Sequence, residues 1–152
     1  MTRDTSETEV RQQWLGVLAR AAPDALEAAW AGLEDPPGMA ILRAPEVGLV
    51  MARGRAGGTG QRFNLGEVTV TRCSVQSDAG LVGHGYVRGR GKRHAELVAR
   101  FDALLQDEAW RSGLMDAVVA PLAEAEAARR AGVARKAAAT RVEFFTLVRG
   151  ED

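Results

Sequence analysis

The period of the hydrophobic positions changes twice along this chain. Val10, Trp14, Val17 and Leu18 recur at helical spacing up to about Arg20. Ser6-Glu7-Thr8-Glu9 ahead of them fits a capping box, with Glu9 three residues past the cap, and residues 1–9 read as a flexible N-terminus. Pro23 suits the first turn of a second helix with Leu26, Trp30 and Leu33 on its apolar face, and Asp35-Pro36-Pro37-Gly38 stops it. Both tryptophans are expected to pack in the core or an interface.

From Met39 the period shortens toward two. Met39–Arg43 is a short apolar run, Val47, Leu49 and Met51 alternate with smaller residues, and Glu67–Val75 is rich in Val and Thr. Leu81–Arg88 follows the hairpin turn signal Ser77-Asp78-Ala79-Gly80. The connections are too short for helical crossovers, so four mostly antiparallel strands are expected. Helical spacing then returns. Lys92 to Gln106 places Val98, Phe101, Leu104 and Leu105 on one face, and a helix from Glu108 points Leu114, Met115, Val118 and Leu122 inward. Pro121 either opens a new helix or kinks the old one.

Ala123–Ala139 contains nine alanines and one larger hydrocarbon side chain, Val133. Alanine favours helix, yet offers little apolar area for anchoring at ~25 cal/mol per Å². The segment is expected to be a helical arm, either solvated or closely docked on a partner. Arg141–Val148, with Phe144-Phe145, reads as a final strand or a helical end. The expected architecture is α+β in a single domain, 1–152. Its mostly antiparallel sheet has four strands, or five if the last segment joins, flanked by N-terminal and C-terminal helices.

A chain of 152 residues and 16.2 kDa can bury roughly two thirds of its unfolded surface in one core. Twenty cations balance 20 anions, which excludes wholesale attraction to nucleic acid or to an anionic membrane. The balance conceals unequal parts. Residues 1–50 sum to −4, residues 51–100 to +6 and residues 101–152 to −2. The middle third is therefore cationic, which marks either an anion site or solvated strand edges. One cysteine, Cys73, leaves no internal disulfide and no cysteine-based metal site, so no metal is expected. MTRDTSETEV has no basic stretch followed by an apolar one, and no apolar run approaches ~18 residues. These features predict a cytoplasmic protein with no membrane partner.

Two segments of the middle third carry candidate chemistry. The first runs from Arg53 to Phe63. Gly57, Gly58 and Gly60 with Thr59 permit positive φ and present backbone N–H groups as an anion nest, and Arg53, Arg55 and Arg62 flank them. It is not a Walker A loop, because Gly-Lys-Ser/Thr is absent and a strand follows. A flexible hairpin loop is the alternative. The second is Arg88-Gly89-Arg90-Gly91-Lys92-Arg93-His94, which leads from strand to helix. A helix N-terminus is already partly positive, so each cation there costs ~0.3–1 kcal/mol. A bound phosphate or partner carboxylate relieves Arg88, Arg90, Lys92 and Arg93; acidic neighbours such as Glu96 are the other way out. His84, His94 and Cys73 form no ligand spacing and read as structural. No triad or carboxylate pair is visible, so catalytic residues are unassigned. The aromatics among the cations, Phe63 and Tyr86, are too few for a nucleic-acid stacking platform.

Several blocks, in order, resemble one family. They are Arg11–Ala19, Ile41-Leu42-Arg43-Ala44-Pro45-Glu46-Val47-Gly48-Leu49-Val50, and Gly57-Gly58-Thr59-Gly60-Gln61-Arg62-Phe63-Asn64-Leu65-Gly66-Glu67. Gly85–Glu96, Ala120-Pro121-Leu122 and Arg141–Gly150 complete the set. Together they are similar to the PhnG family, the G subunit of the bacterial carbon–phosphorus lyase core complex. The resemblance implies a role in phosphonate use under phosphate starvation. Such subunits work with the H, I and L proteins to displace adenine from ATP by an alkylphosphonate, giving α-D-ribose 1-alkylphosphonate 5-triphosphate. A radical iron–sulfur subunit, J, later breaks the carbon–phosphorus bond. It also implies H, I and J as partners, I most intimately, with ATP and alkylphosphonate as substrates of the complex and no cofactor on this chain. The isolated chain is expected to be inactive, and the alternative role is a pure scaffold.

Overall fold

The computed structural model describes residues 2–140, with side chains from Glu7 onward. The chain runs α1 (Thr2–Leu18), α2 (Pro23–Ala31), β1 (Met39–Arg55), β2 (Arg62–Ser77), β3 (Val82–Arg88), α3 (Lys92–Leu105), α4 (Glu108–Leu114) and α5 (Ala120–Ala139). The class is α+β, as the change of period indicates. Helix α1 starts at Thr2, so Ser6 lies inside it instead of capping it.

The described residues form a three-stranded antiparallel sheet in the order β1-β2-β3, which corrects the expectation of four or five strands. Met39–Arg43 and Val47–Met51 are two halves of one strand, β1. Arg43-Ala44-Pro45-Glu46 does not turn; it passes through as register shifts between Ile41 and Glu46, where β1 carries extra residues relative to β2. Pro45 cannot donate to a ladder, but β1 is an edge strand, where a missing N–H is tolerated. Glu46 also grips the neighbouring strand, accepting from Arg72 Nε at 2.6 Å with Arg43 3.7 Å away. The alternative fifth strand, 141–148, lies outside the described residues.

The core forms where α3 lies on the sheet. Alternate β2 residues Thr71, Cys73, Val75 and Ser77 are buried, and they face Leu97, Val98, Phe101, Leu104 and Leu105 of α3 or their neighbours. Each fully buried Leu or Phe contributes roughly 1.5–3 kcal/mol. Close approach is set by a notch-and-ridge fit. A Cβ on Gly83 would overlap the carbonyl of Ala99, and one on Gly85 the carbonyl of Ala95. Ala95, Ala99 and Ala103 recur every fourth residue, so they form a low ridge that sits in the glycine notch of β3. Trp30 meets Phe101 edge-on at 5.5 Å, and Trp14 is buried beside α3, so both tryptophans serve packing.

Pro121 stands in the first turn of α5, as the first of the two expectations has it. A π turn, Met115–Val119, joins α4 to α5, with the Ala120 N–H donating to the Met115 carbonyl. The widened turn accommodates the N–H and the space that a proline ring removes. The Ala-rich α5 then runs outward with almost every side chain exposed.

One feature of β1 and β2 had no counterpart in the sequence expectations. Strand β3 pairs only with Val70–Gln76, whereas β1 and β2 stay paired out to Arg55↔Arg62. The hairpin therefore leaves the sheet as a two-stranded ribbon. Arg62 precedes Val70 by eight residues, which at the strand rise is roughly 26 Å of projection.

Candidate functional site: a cationic ribbon tip and the start of helix α3

Arg53, Arg55, Gly57, Gly58, Thr59, Gly60 and Arg62 all meet at the ribbon tip. A 3-10 turn, Ala56–Gly58, reverses the chain. Gly57 and Gly58 have φ of 59° and 81°, values that only glycine adopts without strain. The Gly60 N–H donates to Ala56 O at 2.8 Å, and Arg55 Nη1 donates to Gly60 O at 3.2 Å. Arg53, Gly54, Arg55 and Arg62 line a shallow concavity of about 280 Å³. Arg55 and Arg62 stand directly opposite one another across the strands. Like charges in that position repel.

The second segment lies at the base of the ribbon. The Gly89 N–H donates to Thr69 O at 2.8 Å, and Thr71 Oγ1 donates to Gly89 O at 2.7 Å. These bonds fix the corner between β3 and α3, with Gly89 at φ 93°. Helix α3 starts without a side-chain cap and without an acid in its first turn. Of the four cations, Arg93 is answered internally. It forms a two-point pair with Glu27 of α2, at 2.8 and 2.9 Å, and donates to Glu96 Oε1 at 3.1 Å. Those bonds push the Arg93 guanidinium further up from its usual range and the Glu27 carboxyl down. Arg88, Arg90 and Lys92 form no ion pair with a described residue. Helix α3 thus resolves one quarter of its charge conflict and leaves the rest to solvent.

The two segments do not merge into a single pocket. Both sit toward the same end of β2, separated by the length of the ribbon. Between them runs a stripe that sequence reasoning missed. By strand alternation Val47, Leu49 and Met51 share one face of β1, the face that pairs with the inward-pointing Thr71, with Glu67 opposite Met51 and a register shift following between Ala52 and Arg53. Val47, Leu49 and Met51 are 43%, 60% and 50% exposed. They continue the core face beyond the end of the helix that covers it. The clue was present in the alternation itself, which extends further than the three-stranded part of the sheet.

A buried polar centre also escaped the sequence reading. Asp102 is fully buried on α3. Its carboxylate accepts Arg11 Nη2 at 2.6 Å, Arg11 Nε at 3.1 Å, Trp14 Nε1 at 2.9 Å and the His84 backbone N–H at 2.9 Å. With four donors on two oxygens it is a clasp joining α1, β3 and α3. An acid at the centre of the Val98–Leu105 apolar face was the available signal, since such residues are buried only when paired. A cavity of about 450 Å³ beside it is lined by Arg11, Trp14, Gln106 and Arg111 among others. Its arginines are engaged: Arg11 on Asp102, and Arg111 on the carbonyls of Leu105 and Gln106 and over the Trp14 ring at 5.9 Å.

The histidines and the cysteine have structural partners. His94 Nε2 lies 3.1 Å from the Leu18 carbonyl and ties α3 to α1. His84 Nδ1 lies 3.0 Å from Ser74 Oγ on the exposed face of the sheet. Cys73 is buried with Sγ 3.4 Å from the Arg43 carbonyl, and burial pushes its thiol pKa up. Among the described residues no three His, Cys, Asp or Glu side chains are grouped to hold a metal ion. No described helix is long and apolar enough to cross a membrane.

Fold and site thus define a small α+β protein whose unanswered charges lie at its periphery, on a projecting ribbon and a helix start. The chain matches the model of a family described as phosphonate metabolism protein PhnG over residues 9–150, and it belongs to that family. It is 46% identical over 153 residues to the alpha-D-ribose 1-methylphosphonate 5-triphosphate synthase subunit PhnG of Rhizobium meliloti (strain 1021), an alignment covering 99% of this chain and 96% of that protein.

Proposed function

We propose that this chain is the corresponding subunit of an α-D-ribose 1-methylphosphonate 5-triphosphate synthase, inactive alone. Near full-length identity of 46% to the Rhizobium meliloti subunit carries this reading. In the reaction that the complex performs, the bond between the ribose C1′ of ATP and adenine breaks. A bond from C1′ to a phosphonate oxygen forms, and adenine leaves with a proton. The H, I and L proteins act with this chain in that step, and J joins the assembled core, with I the nearest neighbour. ATP and the alkylphosphonate are substrates of the complex, no cofactor is bound by this chain, and the assembly is cytoplasmic.

The cations of the ribbon tip and of the α3 start serve the polyanionic substrates. A triphosphate and a phosphonate together bring several negative charges, and arginine forks are suited to phosphate oxygens. Arg88, Arg90 and Lys92 stand beside an uncapped helix start, where backbone N–H groups add to the positive potential. The second reading, a pure scaffold, draws on Arg93, whose guanidinium is consumed by Glu27 and Glu96. Adenine release from ATP and methylphosphonate tests the reading. It should appear when the chain is combined with the H, I and L proteins and vanish when the chain is omitted. Equal release without the chain would refute the assignment.

A further inference from the structure

We propose that two copies of this chain pair through the outer edge of β1, residues 46–52, about a two-fold axis at Leu49. Three strands from each copy then join into one continuous sheet. The proposal goes beyond the synthase assignment and does not rest on it.

The edge is open and unguarded. Strand β1 has β2 on one side and no described strand on the other. From Glu46 to Ala52 its ladder with β2 runs without a register shift, so the outer backbone groups form a straight, regular row. Sheet edges are ordinarily blunted by proline, charge, bulges or a covering element. Here Pro45 and the shifts between Ile41 and Glu46 come before this stretch, and the shift between Ala52 and Arg53 comes after it. Within it Val47, Gly48, Leu49, Val50 and Met51 are all exposed. Unpaired N–H and C=O groups between apolar side chains are a template for another strand. The same stretch also lacks support. Strand β3 pairs with β2 only as far as Val70, whereas Glu46–Ala52 pairs with residues 72 to 66 of β2. Beyond Val70 the hairpin is two-stranded, which is marginal in water until a third strand joins.

A second copy fits this edge. A two-fold axis perpendicular to the sheet makes the two β1 strands antiparallel, and one edge satisfies the other without a second kind of surface. With the axis at Leu49, that residue meets its own copy, Val47 meets Met51 and Gly48 meets Val50. Opposed residues share a face, so Val47, Leu49 and Met51 of both copies merge into one apolar cluster on the α3 side. On the other side nothing lies within 4 Å of the Gly48 Cβ position, which leaves room for Val50 of the second copy beside Val70. Charge does not oppose the pairing. Glu46 is the one charged residue of the overlap; it falls opposite Ala52 and is held by Arg72 at 2.6 Å. Glu67 lies on β2, one strand away from the seam, and Arg53, Arg55 and Arg62 lie past the overlap. The two ribbon tips point in opposite directions, so their cations stay open to anions.

The test uses the full chain alone. Sedimentation equilibrium from about 1 μM to about 1 mM, the range of weak association, should show the mass rising from 16.2 kDa toward twice that value. Leu49→Lys sets two ammonium groups side by side at the axis and should weaken pairing at least tenfold. Its circular dichroism should match wild type, because Leu49 is 60% exposed in the single copy. Opposed Cα atoms ~4.5–5.5 Å apart suit a disulfide, so Leu49→Cys should oxidise to a covalent dimer. Phe63→Cys, exposed on the ribbon but past the overlap, should not, and the native Cys73 is buried. A wild-type chain that stays at 16.2 kDa throughout would overturn the pairing. So would a dimer that Leu49→Lys leaves intact and Leu49→Cys does not cross-link. Protection of the 46–52 amides that appears only after other synthase subunits are added would also overturn it, giving the edge to a foreign strand. None of these outcomes bears on the synthase assignment, which adenine release tests separately.

Discussion

Arg11 on α1 closes a two-point ion pair on the fully buried Asp102 of α3, at 2.6 and 3.1 Å, across 91 residues of sequence. The pair is the polar centre of the contact between the N-terminal helix and the sheet-covering helix. Because Asp102 also accepts the Trp14 indole N–H and the His84 backbone N–H, removal of its oxygens strands three donor groups at once. Asp102→Ala should therefore destabilise the chain by about 3–5 kcal/mol, the range for breaking a buried pair from one side. Denaturant unfolding of the purified chain measures it. A loss below about 1 kcal/mol would show that α1 does not depend on this clasp.

The glycine notch makes a sharper steric prediction. A methyl group on Gly85 meets the backbone carbonyl of Ala95, which cannot rotate away as a side chain does. Gly85→Ala should cost about 1–3 kcal/mol or more as α3 is pushed off β3. Gly48, opposite Val70 at the base of the ribbon, has nothing within 4 Å of its Cβ position. Gly48→Ala should be close to neutral, and parallel thermal unfolding of the two variants separates the sites.

The Ala-rich α5 has one strong electrostatic anchor. Glu126 accepts Arg129 Nε at 2.8 Å and Arg130 Nε at 2.7 Å, with Arg20, in the turn after α1, 4.0 Å away. These bonds hold its carboxyl down at about 2, against an ordinary value of 4.5. A depressed folded-state pKa contributes stability that is complete above the unfolded value and is lost as protons bind the folded carboxylate. Helicity of α5 should be constant above pH 4.5, decline between there and about pH 2, and become insensitive to pH in Glu126→Gln. Carbon-detected titration of the Glu126 carboxyl gives the pKa directly, and a value near 4.5 would remove the anchor.

Helices were the most legible part of the fold, because each declares itself within its own sequence. Pro23, the apolar face Val98–Phe101–Leu105 and the turn signal at Ser77–Gly80 appear where the pattern places them. What escaped depends on partners distant in sequence. Nothing local around Pro45 distinguishes a turn from a bulged edge strand; Arg72, on the neighbouring strand, holds Glu46 in line and makes it a bulge. The Gly83 and Gly85 notch needs the alanine ridge of α3 to have meaning, and Asp102 needs Arg11. Of the candidate cations, sequence located both clusters. It did not reveal that Arg93 is neutralised by Glu27, 66 residues earlier, whereas Arg88, Arg90 and Lys92 have no described counter-ion.

That division among the four cations gives the most direct measurement. Adenine release from ATP and methylphosphonate is compared in reconstituted complexes carrying wild-type chain or Arg90→Glu with Lys92→Glu, after equal subunit stoichiometry has been verified. If these cations serve the polyanionic substrates, turnover falls at least tenfold in a complex that assembles normally. Unchanged turnover in such a complex would contradict the account and leave the chain as a scaffold.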